Sequence, residues 1–255
     1  VLTLFPTQAF ADMEGMSIEE YTDVIVSAST TNPKMLGQLE EPLAQLMEKA
    51  SVIRIETHDP TRDKLLVMEM DIKDRFVTRC TGLRNFPDGE IFTSPDANKV
   101  NGEIYIDLPV FYNGVTIQGI YLKIKNGIII EYDAEKEFET LAKIIETDEG
   151  SHRIGEVALG MNPGLQTALK HPLFVEKVGG TLHIAIGESY PESYVKNPGS
   201  PEGKKMLDEL LAKGIVNQSS QHVDIVADFR PGGAGRSITI DDTKLKIENN
   251  IWTIA

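Results

Sequence analysis

Cysteine is almost absent from this chain: Cys80 stands alone among 255 residues. No disulfide can form within the chain, and the composition suits a reducing compartment, which points to the cytoplasm. Basic residues are outnumbered, 25 Lys and Arg against 39 Asp and Glu, for a net charge of -14. Such a surface repels nucleic-acid phosphates and anionic membranes, whose binding needs clustered Lys and Arg, so small molecules and peptides are the expected partners. No apolar run reaches the roughly 18 residues of a membrane span. The opening VLTLFPTQAFA imitates a secretory signal through Ala9 and Ala11, but it lacks a basic start and its apolar run is too short. G-x-S-x-G, G-x-G-x-x-G and the P-loop are also missing; GMNPG (160–164) and PGGAG (231–235) read as turns. Cys80 has no local catalytic signature, so serine and cysteine nucleophiles are disfavoured.

What is present is ordinary for a globular chain that can bury a substantial core, 41% hydrophobic and 25% charged residues. Ser17 and Glu20 form a capping-box pattern ahead of a helix over 18–29. Asn32 and Pro33 open a second helix through Ala50, in which Pro42 predicts a kink or break near Glu41. From Val52 the period changes to two, in VIRIET, KLLVMEMD and RFVTRC, which reads as strands. Residues 103–132 carry Asn-Gly at 113–114 and 126–127, each between apolar strands, and so form a hairpin meander. AEKEFETLAKIIE (134–146) reads as an amphipathic helix, and Ser200-Pro201 caps another over 201–213, ended by Gly214. RSITID, KLKIE and IWTI return to strands. Grouped strands with inserted helices predict an α+β fold of mixed, largely antiparallel sheets, with a helical lead over about 1–50 and a strand-rich part over about 51–255.

Six potential metal ligands are spread through the strand-rich part: Glu90 in PDGEIFTSP, Glu156 in RIGEVALGMNPG, Glu176 and His183 in LFVEKVGGTLHIAIGESYPE, and His222 and Asp224 in SSQHVDIV. Alternation along a strand projects His222 and Asp224 from one face while Val223 and Ile225 face the core. It likewise separates His183 from Leu182, Ile184 and Ile186. Gly187 permits a bend that returns Tyr190 toward the site, Gly179 and Gly180 supply a turn between Glu176 and His183, and Gly89 and Gly155 allow close backbone approach beside Glu90 and Glu156. Any one of these carboxylates alone reads as a surface residue, and His-x-Asp alone is a weak signal. As a set, carboxylate and imidazole ligands suit Zn, Co or Mn.

In that order these segments closely resemble the M29 metallo-aminopeptidases, from FPTQAFADMEGMSIEEY (5–21) to the C-terminus. The resemblance implies two divalent metal ions held by Glu90, Glu156, Glu176, His183, His222 and Asp224, with Glu156 bridging. It implies Tyr190 as the catalytic hydroxyl facing the oxyanion, and Glu90 or Glu156 as the carboxylate relaying a proton to the leaving amine. The implied activity is removal of N-terminal residues from peptides with a free N-terminus, by a homodimer. Family members carry a preceding N-terminal α/β domain that this sequence lacks; the start at Val1 suggests a fragment, and a non-catalytic metal-binding or structural homologue is the competing reading. A metal-dependent hydrolase of a non-peptide amide is a third. Val223 stands where relatives often have Trp, and residues 195–218 exceed the usual connection. His58, His152 and His171 read as surface residues, and the sequon at Asn217 as accidental.

Overall fold

The computed structural model describes residues 2–230 and 235–255; most of the expected turn at 231–235 lies outside them. The helical lead comprises Gln8–Glu14, Ile18–Ser29 and Pro33–Lys49. The capping box forms as the sequence predicts: Ser17 N donates to Glu20 Oε2 at 2.9 Å and Glu20 N to Ser17 Oγ at 3.1 Å. Of the kink or break expected near Glu41, the break does not occur: the third helix continues through Pro42. Leu39 and Leu43, on either side of the proline, pack into one core, which offsets the backbone hydrogen bond that proline cannot donate.

The strands form two larger sheets in which every pairing is antiparallel. Nine strands make the larger one, running from Ile128–Lys136 through the central Lys64–Asp71 and Val52–Asp59 to Ile251–Ile254. Both Asn-Gly pairs turn hairpins there, with φ of 47° and 85° at 113–114 and of 51° and 77° at 126–127. The helix expected over 134–146 begins only at Phe138. Ala134 and Lys136 instead pair with Ile120 and Gln118, so the hairpin ladder outcompetes local helix propensity until Glu137 turns left-handed at φ 63°. RFVTRC shortens likewise, to a strand at Thr78–Cys80.

The second sheet orders its five strands as His222–Asp228, Thr181–Gly187, Ile154–Gly160, Glu90–Thr93 and Thr78–Cys80. Its inner face contributes Ile91, Val157, Leu159, Leu182, Ile184 and Ile225 to the core shared with Ile55, Met68, Ile104 and Leu122 of the larger sheet. Each fully buried aliphatic of this kind contributes about 1.5–3 kcal/mol, so the strands are held in register from one side and their outer face is free for polar chemistry. A satellite core of Tyr21, Ile25 and Ala28 against Leu169, Leu173, Phe174 and Val178 anchors the segment that carries Glu176. The helix Pro201–Ala212, capped by Ser200, leans with Leu207 and Leu211 on Tyr194, Val195 and Val216 beyond the Tyr190 loop. The whole is α+β and largely antiparallel.

Candidate metal centre

Cross-strand register assembles the site. Ala185 lies opposite Glu156 on one side and opposite Asp224 on the other, so the two carboxylates flank a small residue on the outer face of the second sheet. Glu156 reaches that face through a register shift at Gly155, without which the core alternation of Ile154 and Val157 could not hold. A Cβ on Gly155 would stand 2.1 Å from the Glu188 carbonyl oxygen, so only glycine fits the bulge. Gly187, at φ 108°, ends the neighbouring strand; a Cβ there would stand 2.2 Å from the Gln221 carbonyl oxygen. His222 lies opposite it, and the chain beyond brings Tyr190 to the cleft. Asn217 binds this knot through Nδ2, donating to the carbonyls of Gly187 at 2.6 Å and Gly150 at 2.8 Å, so the amide of the formal sequon is spent on internal structure.

Glu90, Glu156, Glu176, His183, Tyr190, His222 and Asp224 all line one cleft of about 400 Å³. The two oxygens of Glu156 face different imidazoles: Oε1 lies 3.2 Å from His183 Nε2 and Oε2 3.2 Å from His222 Nε2. His183 Nε2 is 3.7 Å from Glu90 Oε2, and His222 Nε2 is 3.4 Å from Asp224 Oδ1. The other ring nitrogen of His222, Nδ1, lies 2.9 Å from the Glu188 carbonyl oxygen, a contact that orients the ring as ligand-holding histidines are oriented. Donor atoms of Glu156, His183 and Asp224 lie within 4.8 Å of one another. Tyr190 is partly exposed, its ring 4.9 Å from those of both Phe92 and His222 and its backbone N–H bonded to Ser94 Oγ at 3.0 Å.

The electrostatics suit a cation. Burial raises the Glu90 carboxyl above its usual range, and burial with the Glu90 charge pushes Glu176 up to about 8. Burial disfavours both imidazolium ions, but the Glu156 hydrogen bond and neighbouring carboxylates lift His183 to about 9, while Asp224 and Glu156 lift His222 to about 11. Burial and the site's carboxylates push the Tyr190 phenol above its ordinary value. The buried oxygens Glu90 Oε2 and Asp224 Oδ1 accept no hydrogen bond. Buried acceptors are rarely left so, and unpartnered carboxylate oxygens beside two imidazoles fit a divalent metal.

Several residues in the cleft or buried behind it escaped the sequence reading. Lys177 is fully buried, 3.4 Å from Glu90 Oε1 and hydrogen-bonded to Glu176. Asp88 and Cys80 offer ligand atoms within 4.8 Å of Glu90. Only the register signals Cys80, which pairs with Glu90 and shares its face. Among the histidines expected at the surface, His58 pairs with Asp63 at 3.3 Å, whereas His171 is half-buried: its Nδ1 accepts from Leu173 N at 3.2 Å and its ring meets Phe10 and Phe174.

Fold and donor set together define an α+β protein equipped to hold divalent cations. The profile of the thermophilic metalloprotease family M29 matches residues 1–231, and the chain belongs to that family. It is 34% identical over 145 residues to Aminopeptidase 2 of Geobacillus stearothermophilus, covering 56% of this chain and 33% of that protein. It is 36% identical over 144 residues to Aminopeptidase T of Thermus thermophilus, covering 55% and 33%. The chain thus spans about a third of the length of these curated relatives. The solved structure of wild-type AmpT from Thermus thermophilus superposes with TM-score 0.68 at 23% identity, over 93% of this chain and 57% of that one. A 2,5-dihydroxypyridine dioxygenase from Pseudomonas putida KT2440 superposes with TM-score 0.62 at 16% identity, over 89% of this chain and 62% of that one, so the fold is shared by proteins of different names.

Proposed function

We propose that this chain is the metal-binding catalytic part of an aminopeptidase that removes N-terminal residues from peptides with a free N-terminus. The observation that carries the reading is Glu156, whose two oxygens each face a different imidazole, the disposition a carboxylate shared by two cations requires. Glu90, Glu176 and His183 would hold one divalent ion, and His222 and Asp224 the other, with Zn, Co or Mn suited to these donors. When bound, such a pair supplies Lewis acidity for the scissile carbonyl and an acidified water.

The chain's own groups do the rest. Tyr190 keeps its proton through the neutral range because burial and the surrounding carboxylates disfavour phenolate, so its hydroxyl is a donor for the oxygen that gains charge in the transition state. Phe92 and His222 pack on its ring and limit its orientations. Glu90 or Glu156 carries a proton to the leaving amine. The net charge of -14 attracts an N-terminal ammonium and disfavours nucleic acids and anionic membranes. No helix among the described residues is long and apolar enough to cross a membrane. A homodimer in the cytoplasm is the assembly and location we assign, supported by family membership and by the lone cysteine.

Steady-state hydrolysis of a panel of aminoacyl arylamides tests the proposal, after loading with Zn, Co or Mn and with N-acetylated counterparts as controls. Turnover of the free amines alone is expected. Equal turnover of the acetylated substrates would remove the exopeptidase assignment, and no turnover with any metal would favour the non-catalytic reading.

A further inference from the structure

Lys177 is the only fully buried lysine among the described residues, and it sits inside the proposed ligand set. Its ammonium is hydrogen-bonded to Glu176 Oε1 and lies 3.4 Å from Glu90 Oε1. A buried ammonium is tolerated only where carboxylates compensate it, so these two oxygens are committed to a cation the chain already owns. The other ligands are differently placed. His222 Nε2 lies 3.2 Å from Glu156 Oε2 and 3.4 Å from Asp224 Oδ1, and none of these three forms an ion pair with Lys177. The two ends of the centre therefore differ: one is a compact donor set, the other is partly neutralised by a tethered positive charge.

We infer that Lys177 is a built-in cation at the Glu90/Glu176 end of the centre, so that this chain binds one divalent ion tightly at the Glu156/His222/Asp224 end and a second one weakly. The inference rests on the metal-centre reading above. A second ion must share Glu90 and Glu176 with the ammonium or displace it from its fully buried position. In both cases like-charge repulsion at a few ångströms lowers its affinity. Occupancy of the second position then follows the free metal concentration, while the first stays filled.

Calorimetric titration of the metal-free 255-residue chain with CoCl2, paired with elemental analysis of the saturated protein, tests this. Wild type is expected to show two steps separated by about 10² or more in Kd. Lys177→Met and Lys177→Gln, each checked by circular dichroism, should tighten the second step at least about tenfold while moving the first much less. Should neither variant fold, the wild-type titration still decides, since separated steps support the inference and equal ones overturn it. Two wild-type ions of equal affinity, or a second step unmoved in folded variants, overturn the inference and leave the metal centre standing. No cobalt bound by any of the three proteins removes the centre and the inference together.

Discussion

Glu40 offers the sharpest physical test of how the acidic ground behind the cleft is built. Its side chain is fully buried in the third helix, and neither oxygen has a hydrogen-bond partner. Burial, aided by the charges of Asp88 and Glu90, raises its carboxyl from 4.5 to about 9. The folded protein therefore keeps Glu40 protonated at neutral pH, whereas the unfolded chain ionises it above 4.5. Relative to an uncharged residue, Glu40 costs nothing below that value and progressively more as pH rises, until the folded form also ionises near 9. Each pH unit in the window costs about 1.4 kcal/mol, so at pH 7, about 2.5 units into it, the cost is about 3 kcal/mol. Glu40→Gln keeps the shape and cannot ionise. The variant should match wild type near pH 4.5 and exceed it by about 3 kcal/mol at pH 7, roughly 10 °C in Tm. Urea and thermal unfolding of both metal-free proteins at pH 5, 6, 7 and 8 reads the difference. A gap independent of pH would refute the reasoning, because a packing effect has no reason to follow the unfolded carboxylate's titration.

Further outcomes follow from the site. Tyr190→Phe should lower kcat by about 10² to 10³ in an active preparation while metal content and KM change little; full activity in steady-state assays would take Tyr190 out of the reaction. Glu156→Ala should weaken both ions in calorimetric titrations, whereas Glu90→Ala or Asp224→Ala should weaken one more than the other; a wild-type site surviving in Glu156→Ala would end its bridging role. Metal uptake should release protons, because the metal-free protein holds His183 and His222 charged up to about 9 and about 11, and ligation needs neutral rings. Apparent affinity should therefore fall as pH drops from 8 to 6; calorimetry in buffers of different ionisation enthalpy that found no release would contradict this.

Much of the fold was legible where local chemistry is strong. The Ser17/Glu20 box and the Asn-Gly pairs specify their own backbones, so the Ile18–Ser29 helix and the hairpins could be read directly. The strands of the second sheet were legible because His222, Asp224 and His183 alternate with core aliphatics. Where pairing partners decide, local reading failed: Ala134 and Lys136 look helical until the strand beside them is known, and Pro42 looks disruptive until the core beneath it is. The contribution of Lys177 was invisible for a similar reason. A lysine after a glutamate is normally a solvated residue, and only the packing of the Pro172–Val178 segment against the helical lead buries it between two acids. Asp88 and Cys80 were hidden because their relation to Glu90 is one of register and loop shape rather than spacing.

Anomalous diffraction from crystals of the chain saturated with zinc or cobalt tests the metal centre most directly. Two peaks about 3.5–4 Å apart are expected in the cleft, with Glu156 between them, Asp224 on one and Glu90 on the other, the second peak filling only at high metal concentration. Peaks confined to the protein surface, with Glu156 and the two imidazoles still in mutual contact, would contradict it.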